Sequence, residues 1–226
     1  MEEVIAFLKD LRCNNNREWF TANKSRYIAA QERFNAIVDE LIREISLFDD
    51  SVIGLTARDC TYRIYRDVRF SADKSPYKTH MGAFICPGGR KSGNSGYYFH
   101  IGTGGEGYPY AHMLAAGDYC CDSKVLQILR EDIVNGDGDF DRIVRAAAPM
   151  FVLDREGSLK RNPKGFEREE LYADYLRLKA FCLVHIPTDE FVCADKLPHR
   201  VASLFSLTKP FLFYLNRAIA YVKNEY

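Results

Sequence analysis

Apolar residues recur at helical spacing toward both ends of this chain and at strand-like spacing in its middle, which selects a mixed fold over an all-helical or all-strand one. Val4, Ile5, Leu8 and Leu11 lie on one helical stripe. Asn14, Asn15 and Asn16 then supply turn and N-cap chemistry before Glu18-Trp19-Phe20, where a second helix is expected to start. From about Lys24, the positions Tyr27, Phe34, Val38, Leu41 and Ile45 share a stripe, while Arg33, Asp39, Glu40, Arg43 and Glu44 mostly face elsewhere. That spacing predicts a long amphipathic helix ending near Phe48-Asp49-Asp50.

The period then shortens. Residues 60–70 are rich in aromatic and β-branched side chains, 82–86 form a short apolar run, and 96–101 and 108–113 repeat the pattern, so three or four antiparallel strands are expected. Helices are predicted at 122–134, at 140–148 before Pro149, and at 167–176 after a basic turn at 159–166. A strand is predicted at 178–186, closed by Pro187. A last helix spans 197–223 and is kinked or divided by Pro210, because an interior proline removes a hydrogen bond and clashes with the preceding turn. The expected architecture is α+β, an antiparallel sheet from the middle of the chain packed against N- and C-terminal helices. No linker-like stretch interrupts it, so residues 1–226 read as a single domain.

Charge and cysteine content exclude several classes. Lys+Arg and Asp+Glu each number 31, a formal net charge of zero that argues against a polybasic or acidic tail. The glutamates of MEEVIAFLKDL stand where a secretory signal needs positive charge, and no run of 18 apolar residues suggests a membrane span. Seven cysteines with no C-x-x-C pair fit neither a secreted disulfide framework nor a zinc knuckle, so reduced thiols and a cytoplasmic setting are expected.

The zero sum hides a local excess. Residues 58–80, RDCTYRIYRDVRFSADKSPYKTH, hold Arg58, Arg63, Arg66, Arg69, Lys74 and Lys78 against Asp59, Asp67 and Asp73, a net +3 that leaves −3 for the rest. If 61–70 is a strand, Tyr62, Ile64, Arg66, Val68 and Phe70 share one face and Arg63, Tyr65, Asp67 and Arg69 the other. If the segment turns helical after Tyr65, Arg66 and Arg69 lie side by side. Either way several guanidinium groups cluster, and guanidinium is a permanently charged fork of donors suited to phosphate or carboxylate oxygens.

The pattern Arg63-x-x-Arg66-Asp67-x-Arg69-Phe70-Ser71-x-Asp73-Lys74-x-Pro76-Tyr77-Lys78 resembles the signature of a bacterial conserved-hypothetical family known as domain of unknown function 2461, whose members are about as long as this chain. Asn15-x-Arg17-Glu18-Trp19-Phe20, Asn23-Lys24, Tyr97-Tyr98-x-His100-Ile101, Leu126-x-x-Leu129-Arg130 and Pro163-Lys164-Gly165-Phe166 extend the resemblance along the chain. It implies a compact α+β domain and no activity, so no catalytic residue is carried over.

Three readings of the segment follow. In the first, Arg63, Arg66, Arg69, Lys74, Tyr77 and Lys78 bind a small anionic ligand bearing phosphate or carboxylate. In the second, an enzyme acts on a phosphoester-type substrate, with Asp67 or Asp73 as base and His80 or Tyr77 as proton donor. In the third, the charges form a structural ion-pair network, Arg63 or Arg69 with Asp67 and Arg58 with Asp59. No cofactor is expected. No metal is expected either, because His80, His100, His112, His185 and His199 form no H-x-x-x-H or H-x-H pair; His80 and His100 are the two that the fold could bring together. The glycine-rich stretch 88–96 lacks the order of a phosphate loop and reads as a hairpin loop, and no G-x-S-x-G elbow is present. Aromatic residues interleave the basic ones, yet a sequence pI of about 6.9 argues against a nucleic-acid partner. No feature specifies an oligomeric state.

Overall fold

The computed structural model describes residues 1–224. In chain order its helices are α1 (Glu2–Cys13), α2 (Arg17–Ala22), α3 (Lys24–Ser46), α4 (Ala57–Cys60), α5 (Ser123–Asn135), α6 (Asp139–Ala147), α7 (Ala173–Leu176), α8 (Asp189–Cys193), α9 (Leu197–Ser206) and α10 (Lys209–Asn224), with a 3-10 turn at Asp50–Val52. Strands β1 (Met81–Ile85), β2 (Gly96–Ile101), β3 (Met113–Asp118), β4 (Val152–Leu153) and β5 (Phe181–His185) form a sheet in the order β1-β2-β3-β5-β4. Pairing is antiparallel at β1–β2, where Gly82 faces His100, and at β4–β5. The fold is therefore α+β, with its sheet from the middle of the chain and helices from both ends against it. Among the described residues no helix is long and apolar enough to cross a membrane, and no disulfide joins the cysteines.

The chain clusters into two compact units. The first comprises Met1–Ser92, Tyr97–Leu114 and Ile186–Ser203. Here the stripe read from the sequence is the core: Val4, Leu8 and Leu11 of α1 and Phe34, Val38, Leu41 and Ile45 of α3 are all buried. Phe34 stacks on Phe99 of β2 at 5.7 Å between ring centroids. Burying each such side chain contributes about 1.5–3 kcal/mol. The Asn16 side chain accepts the Trp19 N–H and starts α2.

The second unit comprises Gly93–Gly96, Ala115–His185 and the chain from Leu204 onward. Its centre is Phe140 of α6, whose ring lies 5.6 Å from Phe181, 5.8 Å from Phe211 and 5.2 Å from Tyr214. Arg130 is buried, yet its guanidinium donates to the Leu176 and Leu178 carbonyls at 2.9 and 3.1 Å, which satisfies a charge that burial otherwise penalises. At Gly117 (φ +145°) a Cβ would stand 1.9 Å from the Phe181 carbonyl oxygen, so only glycine lets β3 lie there.

Three expectations are corrected. Residues 61–70 are not a strand: only isolated bridges, Thr61 to Ala83 and Tyr65 to Tyr77, mark the segment. Of the face Tyr62, Ile64, Arg66, Val68 and Phe70, Ile64 alone is buried, and the backbone pairs with its own continuation at 76–78, which ends any ladder. It does not turn helical either. The strand expected at 108–113 starts only at Met113, because the Tyr110 and Ala111 N–H groups both close a turn on the Gly107 carbonyl. The helix expected at 167–176 shrinks to α7, since Asn162 Nδ2 takes the Phe166 and Glu169 carbonyls and holds turns ahead of it. The last helix is divided near Pro210, as expected, into α9 and α10, and Pro210 sits in the first turn of α10, where its missing N–H costs nothing. Three short elements carry no expectation from the sequence, α4, β4 and α8. β4 is too brief to show a period, whereas α4 announces itself by a Thr56-x-x-Asp59 capping box.

Candidate functional site

The basic segment is a closed loop. Arg66 donates its N–H to the Pro76 carbonyl at 3.0 Å and Lys78 donates its own to Ile64 at 2.8 Å, so residues 66–76 leave and return at one point. Inside, Asp73 Oδ1 accepts the Ser75 N–H at 2.9 Å and the Ser75 hydroxyl at 2.6 Å, an Asx turn, while Oδ2 accepts from Arg66 Nη1. Arg66 also donates to the Ser75 carbonyl (3.2 Å) and Ser71 Oγ (3.3 Å). Asp67 is clasped by Arg69 through Nε at 2.9 Å and Nη2 at 2.6 Å. Lys74 Nζ donates to the Val68 carbonyl at 3.0 Å. The loop is pinned at its base by Tyr77, which is buried, stacks on Phe20 at 3.9 Å, and exchanges backbone hydrogen bonds with the Asn15 side chain at 2.9 and 3.2 Å.

These contacts sort the charges. Hydrogen bonds from Ser75, and then from Arg66, hold the Asp73 carboxyl down at about 2, and Arg69 holds Asp67 below the usual carboxylate range. Both aspartates are thus ionised acceptors with their oxygens occupied, the opposite of a general base poised near neutrality. Tyr77 faces the core. Arg66 and Arg69 are neutralised by these partners. Arg63 is exposed and Lys78 is half-buried, and neither forms an ion pair among the described residues. Lys78 Nζ lies over the Tyr62 ring, 5.3 Å from its centroid, a cation–π contact. Burial, and then the Arg63 charge, pushes the Lys78 ammonium pKa down. Arg58 makes no ion pair with Asp59, whose carboxylate is spent on the Thr56 N–H and hydroxyl.

Behind Lys78 lies a group of rings. His100 is fully buried on β2, accepts from the Tyr98 hydroxyl at Nδ1 (2.9 Å), and donates from Nε2 to the Pro109 carbonyl (3.0 Å). A carbonyl can only accept, so this arrangement assigns the tautomer. Burial pushes His100 down to about 4, with the Pro109 bond opposing, and raises Tyr98. His80 stacks on His100 at 4.5 Å, as the sequence allowed. Its Nδ1 is buried without a hydrogen-bond partner among the described residues. Burial, His100, Lys78 and Arg66, in that order, push it down to about 3. The Tyr108 ring is 5.5 Å from both imidazoles, and Tyr62 meets Tyr98 edge-on at 6.5 Å. Gly82, opposite His100, leaves the space that the Tyr98 hydroxyl needs: a Cβ there would stand 2.8 Å from it. The sequence reading omitted Tyr62, Tyr98 and Tyr108 from the site, although Tyr98-x-His100 on a strand already places both on one face.

The other histidines are satisfied singly. His112 accepts the Gly102 N–H and reaches Asp189 at 3.1 Å, His185 bonds the Met150 carbonyl, and His199 bonds Glu44. No group of three or more His, Cys, Asp or Glu side chains able to hold a metal occurs among the described residues. The glycine-rich loop is tied down rather than open: Arg90 donates its N–H to the Asp59 carbonyl (3.1 Å) and its Nη1 to the Arg58 carbonyl (2.7 Å).

Fold and site together define an α+β protein whose distinguishing surface is a self-braced basic loop backed by aromatic rings. The chain belongs to the conserved hypothetical protein family DUF2461, whose family model matches residues 3–214. No curated protein and no solved structure matches it.

Proposed function

We propose that the protein binds a small anionic ligand, phosphate- or carboxylate-bearing, with Arg63 and Lys78 as the principal contacts. The observation that carries this reading is the pair of like charges: the half-buried Lys78 bonds its N–H to the carbonyl of Ile64, the residue after Arg63, and neither cation forms an ion pair among the described residues. Asp67 feels the Arg63 charge, but Arg69 already occupies both of its oxygens. Holding two cations together costs Coulomb energy that an anion between them returns. Arg66, Arg69 and Lys74 contribute by shaping the loop, since their donors are engaged within it.

Thermal melting with inorganic phosphate, pyrophosphate or citrate tests this. At ten times Kd, mass action adds about 1.4 kcal/mol, roughly 3–6 °C for a chain of this size. Arg63→Ala is expected to abolish the shift, and Arg69→Ala, which removes an already neutralised cation, to keep most of it. No shift with any of the three anions, or equal loss in both variants, refutes the assignment.

A further inference from the structure

Beside Arg63 and Lys78 stand more aromatic rings than a bare phosphate or carboxylate can use. Tyr62, under the Lys78 ammonium, is 41% exposed, and Tyr108 is 65% exposed although its ring lies 5.5 Å from both the half-buried His80 and the buried His100 imidazoles. Tyr62 meets Tyr98 edge-on at 6.5 Å, the Tyr98 hydroxyl bonds His100, and the His100 ring lies 5.5 Å from Tyr108. These contacts run on from one another: Lys78 lies over Tyr62, Tyr62 meets Tyr98, and behind the two exposed rings buried His100 and half-buried His80 and Tyr98 pack together. Rings that only served the core would be covered. Exposed rings beside unneutralised cations are the combination that stacks a planar base while holding its phosphate.

We infer that the ligand is a nucleoside phosphate, its base stacked on Tyr108 or Tyr62 and its phosphate held by Lys78 and Arg63. This rests on the anion-binding reading above and adds the aromatic half of the ligand. A free mononucleotide fits better than a strand, because the chain as a whole has no net charge with which to follow a polymeric backbone.

Calorimetric titration with inorganic phosphate, ribose 5-phosphate, adenosine 5′-monophosphate and a ten-residue oligothymidylate separates the possibilities. The mononucleotide is expected to bind about five- to a hundred-fold more tightly than ribose 5-phosphate, the increment a stacked base supplies. Tyr108→Ala, checked for an unchanged melting profile, is expected to lower that increment and leave ribose 5-phosphate affinity as it was; Tyr62→Ala serves as the second variant. Equal affinity for the two phosphates, or an increment that survives both variants, overturns the inference while leaving anion binding intact. Binding of no phosphate at all removes both readings. Tighter binding of the oligonucleotide than of the mononucleotide overturns the small-ligand assignment.

Discussion

Tyr77 carries the loop at its base through a ring and a peptide unit at once. Its ring is stacked on Phe20, 3.9 Å away, and its N–H and C=O are both taken by Asn15. Removing the ring leaves a cavity beside Phe20 and Tyr65, so Tyr77→Ala is expected to cost about 3–5 kcal/mol in urea unfolding, whereas Tyr77→Phe, which keeps the stacked ring, should change stability by less than about 1 kcal/mol. A loss below about 1 kcal/mol for Tyr77→Ala contradicts this role. The sequence had placed Tyr77 among ligand contacts and proton donors. Its spacing within the motif was informative, but nothing local to Pro76-Tyr77-Lys78 tells which of two adjacent side chains turns inward. That is set by α2, which arrives from 62 residues away with Asn15.

The loop as an element owes its shape to Arg66. That guanidinium joins three points of the turn, the Asp73 carboxylate, the Ser75 carbonyl and the Ser71 hydroxyl, and its side chain is 24% exposed. Arg66→Ala is expected to free the turn without unfolding the molecule: tryptic cleavage after Arg69 and Lys74 should accelerate at least several-fold, while the melting temperature falls by only a few degrees, because Asp73 remains in water and needs no buried counter-charge. A collapse of the melting temperature, or unchanged cleavage, contradicts it. Elements built from local signals, such as α2, α3, α5 and α6, were legible because caps and stripes are properties of consecutive residues. The loop was not, since its alternation of Tyr, Ile, Val and Phe imitates a strand while its hydrogen bonds run to its own far end.

At the scale of the molecule, the stacked His80–His100 pair makes stability depend on pH. An unfolded chain takes up protons at its histidines below about 6.5, whereas folded His80 and His100 resist to about 3 and about 4. Between those limits the unfolded state binds more protons, so stability falls as pH falls, by up to about 1.4 kcal/mol per pH unit for each histidine. Urea unfolding from pH 7.5 to 4.5 should show this slope, and His80→Gln should flatten it by about one proton. An identical slope in the variant means that His80 titrates in the folded chain as it does in the unfolded one.

The order of amino acids was enough to establish the helical ends and strand-bearing middle, the caps, and a +3 segment within a neutral total, because each depends on neighbours along the chain. Folding settled which charges cancel and which remain. Asp73 finds Arg66, Asp67 finds Arg69, and Lys78 is left with Arg63 and the Tyr62 ring, an outcome that follows from how an irregular loop doubles back. His80 and His100, 20 positions apart, meet face to face for the same reason: contacts between segments distant in sequence are set by the packing of the whole chain, and periodicity holds no record of them.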